Sequence, residues 1–163
     1  MDRVVWNALE VGASGTLRIA HFRPSMQEAF QWLVLDGLAE RWGSVDESLN
    51  PDLRDIDARY GEDIVLVALD DEQVVGTGIL VLRPTAGEIV RMSVHRAHRR
   101  RGIASMLVSS LLQLARAQDV GHIEVETNAN WTDARAFYEK LGFTFSHCAP
   151  GDFGQEAFYE LDL

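Results

Sequence analysis

Hydrophobic and polar positions alternate along the chain in two periods, and the order of those periods predicts the elements. TLRIAHF, Thr16–Phe22, reads as a first strand. Pro24 and Ser25 then open a helix, with Ser25 as its cap. Met26, Ala29, Phe30, Leu33, Val34 and Leu38 recur there at helical spacing until Trp42 and Gly43. The next stretch is polar and acidic, with a short helix expected after Pro51 from an Asn50 cap. DIVLVALD, Asp63–Asp70, and QVVGTGILVL, Gln73–Leu82, form a hairpin around a polar turn. Glu88–His95 is a further strand. From Ile103, the positions Met106, Leu107, Ser110, Leu111 and Leu114 trace one helical face, which Asp119 and Gly121 end. HIEVET, His122–Thr127, alternates as a strand. Trp131–Gly142 is a helix that Thr132 can cap and Gly142 can close. FTFSHC and EAFYELDL are two last strands, joined across Pro150, Gly151 and Gly154. Residues 1–15 read as an N-terminal extension and residues 16–163 as one domain. Three meandering strands followed by strand-helix-strand predict a mixed sheet with helices on its faces, not a doubly wound sheet.

Composition narrows the class. The chain has 163 residues, 47% of them hydrophobic, which suits one domain with a sizeable core. No apolar run approaches the roughly 20 residues of a membrane-spanning helix, so no membrane role is expected. Cys148 is the one cysteine; it has no partner for a disulfide or a thiolate metal site. That points to a cytoplasmic protein in which Cys148 is a buried structural residue. The formal net charge of −10 argues against nucleic acid as a partner. The charge is also segregated. Twelve acids lie between Asp36 and Glu72 against Arg41, Arg54 and Arg59, whereas Arg91–Arg101 holds five arginines, two histidines and no acid. Such a separation fits either a solvated acidic surface beside a basic turn, or two sites, one for an anion and one for a cation.

The basic segment ends in RRRGIAS, Arg99–Ser105, where a strand gives way to a helix. The first amides of a helix have no partner within it, and the helix dipole adds about half a positive charge there. Gly102 leaves out a Cβ, Ala104 and Ser105 keep the first turn thin, and flanking arginines add charge-assisted contacts. The turn is suited to phosphate oxygens. It lacks the GxxxxGK[ST] pattern of a nucleotide triphosphatase loop.

Arg99-x-x-Gly102-x-Ala104 resembles the acetyl-coenzyme A signature of the GNAT superfamily of N-acetyltransferases. ARAFYEKLGF, Ala134–Phe143, is similar to that family's second signature, a helix carrying a Tyr just before a Gly-Phe turn. The element order matches from Thr16 to the C-terminus. The resemblance implies a mixed, mainly antiparallel α/β sheet of six to seven strands, flanked by about four helices and splayed between its fourth and fifth strands. It implies acetyl-coenzyme A as co-substrate and no metal. Met92, Ser93 and Val94 would carry the bulged strand that binds the pantetheine arm. Amides of about Arg100, Arg101, Gly102, Ile103, Ala104 and Ser105 would hold the diphosphate, with Arg99, Arg100 and Arg101 near the adenosine phosphates. Many relatives have a cofactor-touching Asn seven residues before the Tyr; Trp131 stands there, leaving Asn130 or Asn128 for a shifted loop. Relatives that pair through C-terminal strands make a homodimer an expectation by resemblance alone.

Acetyl transfer to an amine needs a base, an oxyanion donor and a protonated leaving sulfur. The backbone N–H of Val94 is the expected oxyanion donor. Tyr138 is the expected acid, because a phenol near pKa 10 matches a thiol. Its alternative is a core position beside Phe137. Glu88 matches the position of a base in the histone-acetyltransferase branch. Counting by two, it shares a face with Val90, Met92 and Val94, apart from any bulge. Glu124, Glu126 and His95 are rivals, and Thr127 can line the acceptor site. The acceptor wall is expected over about Leu35–Tyr60, whose acids favour a cationic amine, either a small molecule or a peptide. Trp32, Trp42, Tyr60 and Trp131 either wall a pocket or fill core. A non-catalytic coenzyme-binding module is the alternative of another class.

Overall fold

The structure is a computed structural model and describes residues 9–10 and 16–163. Apart from Leu9–Glu10, the expected N-terminal extension lies outside the described residues. The strands are β1 (Leu9–Glu10), β2 (Leu17–His21), β3 (Ile64–Asp70), β4 (Gln73–Leu82), β5 (Gly87–Val94), β6 (His122–Asn128), β7 (Thr144–Gly151) and β8 (Gly154–Asp162). The helices are α1 (Gln27–Trp42), α2 (Ile56–Tyr60), α3 (Ile103–Ala117) and α4 (Thr132–Lys140). One sheet runs in the order β1-β2-β3-β4-β5-β6-β8-β7. Every neighbouring pair is antiparallel except β5–β6, so the expected mixed, mainly antiparallel sheet is present. The seven expected strands are joined by the two-residue β1. None of the described helices is long and apolar enough to cross a membrane.

Two cores sandwich the sheet. On one face α3 packs Ile103, Leu107 and Leu111 against Leu66, Leu80, Ile89 and Val125. On the other, Phe30, Leu33 and Val34 of α1 and Ile56 and Tyr60 of α2 cover Val65, Val67 and Ile79. The alternation along β3 and β4 thus supplies both faces, as a sheet covered on two sides requires.

Local chemistry departs from the sequence reading at several ends. Ser25 does not cap α1; the chain enters through a 3-10 turn at Pro24–Met26 with no side-chain cap. Gln27 instead reaches out of the helix, its amide nitrogen donating to Leu53 O and its oxygen accepting from Ile56 N–H. Asn50 caps only a 3-10 turn without a side-chain bond, and Asp55 caps α2 by accepting from Ala58 N–H at 3.0 Å. Thr132 is the first helical residue of α4, after a Trp131 that makes no side-chain cap. Gly142 does close α4: its φ is +97°, and Phe143 N–H donates back to Tyr138 O at 3.0 Å. The last hairpin is longer than expected. Pro150 and Gly151 pair with Gln155 and Gly154, leaving two residues in the turn. A proline is tolerated there because β7 is the sheet edge. The same edge position leaves Cys148 exposed, not buried.

Candidate active site

The site begins as a defect in β5. Arg91 and Met92 face one residue of β4, so the ladder slips between Thr77 and Ile79. Arg91 has φ +56°, a left-handed conformation that costs a non-glycine residue on the order of 1 kcal/mol or more. Three groups hold it there. The buried Thr77 hydroxyl donates to Arg91 O at 2.8 Å. The guanidinium forks onto Asp52 at 2.9 and 2.6 Å, and it also reaches Asn50. Asp52 also accepts from Tyr60 Oη at 2.7 Å. Burial pushes the Asp52 carboxyl up, but the Arg91 and Tyr60 hydrogen bonds outweigh it and hold it below its ordinary range. Burial and that same carboxylate push Tyr60 up to about 12. On the far side, a Cβ at Gly78 would lie 2.6 Å from the Met92 sulfur, so the bulged Met92 needs a glycine opposite.

The bulge changes which residues face which way. Glu88 and Val90 lie on the α1 face, while Met92 and Val94 pack on the α3 face. Glu88, Val90, Met92 and Val94 would share one face only without a bulge; the bulge splits the set, because the inserted residue inverts the alternation. Beyond the bulge, His95 N–H donates to Val75 O at 2.8 Å and Val94 stands opposite Gly76. Antiparallel alternation then turns the N–H and C=O of Val94 away from β4.

They turn toward a gap. β5 and β6 pair only over Gly87–Ile89 and Ile123–Val125, and beyond that they diverge. This is the splay expected between the fourth and fifth strands, here β5 and β6 because β1 is counted. It opens a cleft of about 1160 Å³. Gly37, Leu38 and Glu40 of α1 form one wall, and Ala134, Phe137 and Tyr138 of α4 the other. Glu88, Ser93, Val94, Glu126 and Thr127 line it from the strands.

Tyr138 is both core and cleft. It is 6% exposed, with its ring edge-on to Phe143 at 5.6 Å, yet it lines the opening. Phe137 lines it too, so the adjacent pair does not divide into one core and one cleft residue. Burial raises the Tyr138 phenol above its ordinary value, so the hydroxyl keeps its proton at physiological pH and matches a thiol less closely than expected. α4 is fixed behind it by Arg135, which donates to Tyr159 Oη at 3.0 Å and to Ala129 O at 3.1 Å.

The carboxylates separate. Glu88 is ion-paired with Arg83. Glu126 is exposed, and partial desolvation beside its neighbours, then the charges of Glu156 and Glu88, raise the carboxyl. Asn130 stays exposed in the turn before α4 and does not line the cleft. Asn128 is buried and committed, donating to Phe153 O and accepting from Asn130 N–H.

At the other mouth stands the start of α3. Gly102 has φ +76° and no side-chain cap follows it. A Cβ there would meet nothing within 4 Å, so the space beside the first amides is open. That open space, thin first turn and long helix fit a diphosphate. The arginines are not equally available. Arg99 forks onto Glu40 at 2.7 and 2.9 Å, Arg96 onto Asp36 at 3.0 Å, and Arg101 reaches Asp70 at 3.4 Å. Among the described residues, Arg100 alone of the run makes no ion pair; its φ is +63°. Four of the five arginines of the basic segment thus pair with four of the twelve acids, Asp36, Glu40, Asp52 and Asp70. These ion pairs bind the arginine turn to α1 and β3.

The chain matches the acetyltransferase (GNAT) family over residues 26–143 and belongs to that family. Human N-acetyltransferase 8B is 35% identical in an alignment 108 residues long that covers 61% of this chain and 48% of that protein. Rat N-acetyltransferase 8B is 34% identical in an alignment 108 residues long that covers 61% and 49% of the respective chains. The chain spans about half the length of the curated relatives it matches. Among solved structures, a GNAT-family acetyltransferase of Staphylococcus aureus Mu50 superposes with TM-score 0.80 at 22% identity, over 90% of this chain and 99% of that one. The PaiA N-acetyltransferase of Thermoplasma acidophilum, solved in complex with coenzyme A, superposes with TM-score 0.75 at 13% identity, over 90% and 99%.

Proposed function

We propose that the protein is an N-acetyltransferase that moves an acetyl group from acetyl-coenzyme A to a primary amine by direct attack within one ternary complex. The carrying observation is the gap between β5 and β6, with the Val94 N–H turned into it and Tyr138 on its wall. Amides of Ile103, Ala104 and Ser105 bind the diphosphate, and Arg100 is the arginine best placed to add charge without giving up a partner. Val94 N–H receives the carbonyl oxygen as it gains negative charge.

Glu126 is the favoured base over Glu88. A protonated amine must lose a proton before its nitrogen attacks, and a carboxylate with a raised pKa takes that proton at less cost. Glu88 is held by Arg83 and adds negative charge beside it. The neutral nitrogen adds to the thioester carbonyl, and the C–S bond breaks as the adduct collapses. The Tyr138 hydroxyl protonates the leaving sulfur, the second proton shed by the nitrogen restores that hydroxyl, and the first proton, taken by Glu126, goes to solvent.

Acetyl-coenzyme A at about 100 times its Kd is expected to raise Tm by roughly 5–10 °C. No shift in a thermal melt would remove the coenzyme from the account. A shift with no thiol release across a panel of amines would favour the non-catalytic binding module instead.

Glu126→Gln separates chemistry from folding. The folded-state pKa of Glu126 is raised, so the folded form holds a proton that the unfolded chain has lost. Stability therefore falls as pH rises through that window, and the penalty is complete above it. Glu126→Gln is expected to raise Tm at pH 7, to leave it unchanged well below pH 4, and to cut kcat/KM by about 100-fold. A melt and a rate measured on the same preparation check both.

A further inference from the structure

Three aromatic rings form a run that leads outward from the cleft. Trp131, which lines it, lies 5.3 Å from Trp42, and Trp42 lies 5.6 Å from Phe153, ring centre to ring centre. They come from three places: the residue before α4, the last residue of α1, and the β7–β8 turn. Neither Trp42, at 42% exposure, nor Phe153, at 55%, belongs to a core. Scattered exposed aromatics need no explanation, and Trp32 is one, against His95 and away from the cleft. A contiguous run of rings that starts in a reaction cleft does need one, because it keeps apolar surface in water.

The run is also held in place. The Arg41 guanidinium sits 4.4 Å over the Trp131 ring and forks onto Asp133 at 2.8 and 2.9 Å. Its charge is thereby matched, and the pair fixes the ring without repelling a cation. The carboxylates Glu88 and Glu126 line the same cleft. The cleft therefore offers carboxylates, and the aromatic run begins at Trp131 in its lining and continues outside it.

We infer that Trp131, Trp42 and Phe153 form a subsite for the acceptor's side group, and that the acceptor class is a primary amine bearing an aromatic or similarly large apolar group close to the nitrogen. This rests on the transfer reading above, which puts the amine beside Glu126. The ammonium meets the carboxylates while the apolar group leaves water against the rings.

Glycinamide and phenylalaninamide differ only in the benzyl group and test this directly. Each is titrated by calorimetry into the protein saturated with coenzyme A, and each is assayed for thiol release with acetyl-coenzyme A. Phenylalaninamide is expected to bind at least about 10-fold more tightly, the value of removing a ring from water. Its kcat/KM advantage follows the same ratio. The double variant Trp42→Ser/Phe153→Ser, checked by its melt, is expected to lose most of the ratio, Trp131→Ala likewise, and Trp131→Phe to keep it. Equal binding of the two amides, no binding of either, or a ratio that survives the double variant would overturn the subsite. The transfer reading fails differently: a binding preference without thiol release keeps the subsite and removes the transfer, while equal turnover of both amides keeps the transfer and removes the subsite.

Discussion

Replacing Tyr138 by phenylalanine is expected to lower kcat by about 100-fold and to leave the Kd for acetyl-coenzyme A within about twofold. The ring stays where it is, because Phe137 and Phe143 pack against the ring itself in edge-on contacts, which phenylalanine keeps. What is lost is the donor to the departing sulfur. The hydroxyl is desolvated by burial, with no charge offsetting that cost. Removing it is therefore expected to leave Tm unchanged or slightly higher. A melt, a coenzyme titration and a single-turnover rate distinguish this from a packing role, which would lower Tm and spare kcat. Unchanged turnover would take Tyr138 out of the chemistry.

Gly102→Val is expected to weaken acetyl-coenzyme A binding by about 100-fold or more without unfolding the chain. At φ +76° a β-branched residue costs about 1–3 kcal/mol, which the turn relieves by rotating. The amides that follow then no longer converge on one point. The added side chain meets no protein atoms, so the damage is to the amide geometry and to the open space beside it, not to the core. Coenzyme titration beside a melt checks the pair; binding equal to the parent would move the diphosphate elsewhere.

The pattern of apolar positions carried the element order because it reports burial one residue at a time. The α3 stripe of Leu107, Ser110 and Leu111 and the doubly covered β3 were legible for that reason. The turn at Gly102 and the helix around Tyr138 were legible because short-range chemistry defines both. Three features were not. The bulge at Arg91 is stabilised by Asp52 and Asn50, 39 and 41 positions away, and by a hydroxyl of the adjoining strand. The family resemblance implied a bulged strand around Met92–Val94, but no local pattern fixes the bulge at Arg91 or shows what holds it; an arginine and a buried threonine within apolar strands were its traces. The pairing of Arg96 with Asp36 and Arg99 with Glu40 spans 60 and 59 positions, so charge counting along the chain read partners as opposites. The Trp42–Trp131 ring contact joins two helix ends that meet only through the fold. The preference for Glu126 over Glu88 follows from the same limit. Arg83 claims one carboxylate, and the crowding that raises the other comes partly from Glu156 on a neighbouring strand.

The central claim is that the amides opening α3 grip the coenzyme diphosphate while its thioester lies in the divergence of β5 and β6. A crystal structure of the protein with coenzyme A measures this directly. The account predicts diphosphate oxygens within hydrogen-bond distance of the Ile103–Ser105 amides, and the sulfur between Val94 and Tyr138. Coenzyme bound at any other surface, or a diphosphate held without those amides, would contradict it.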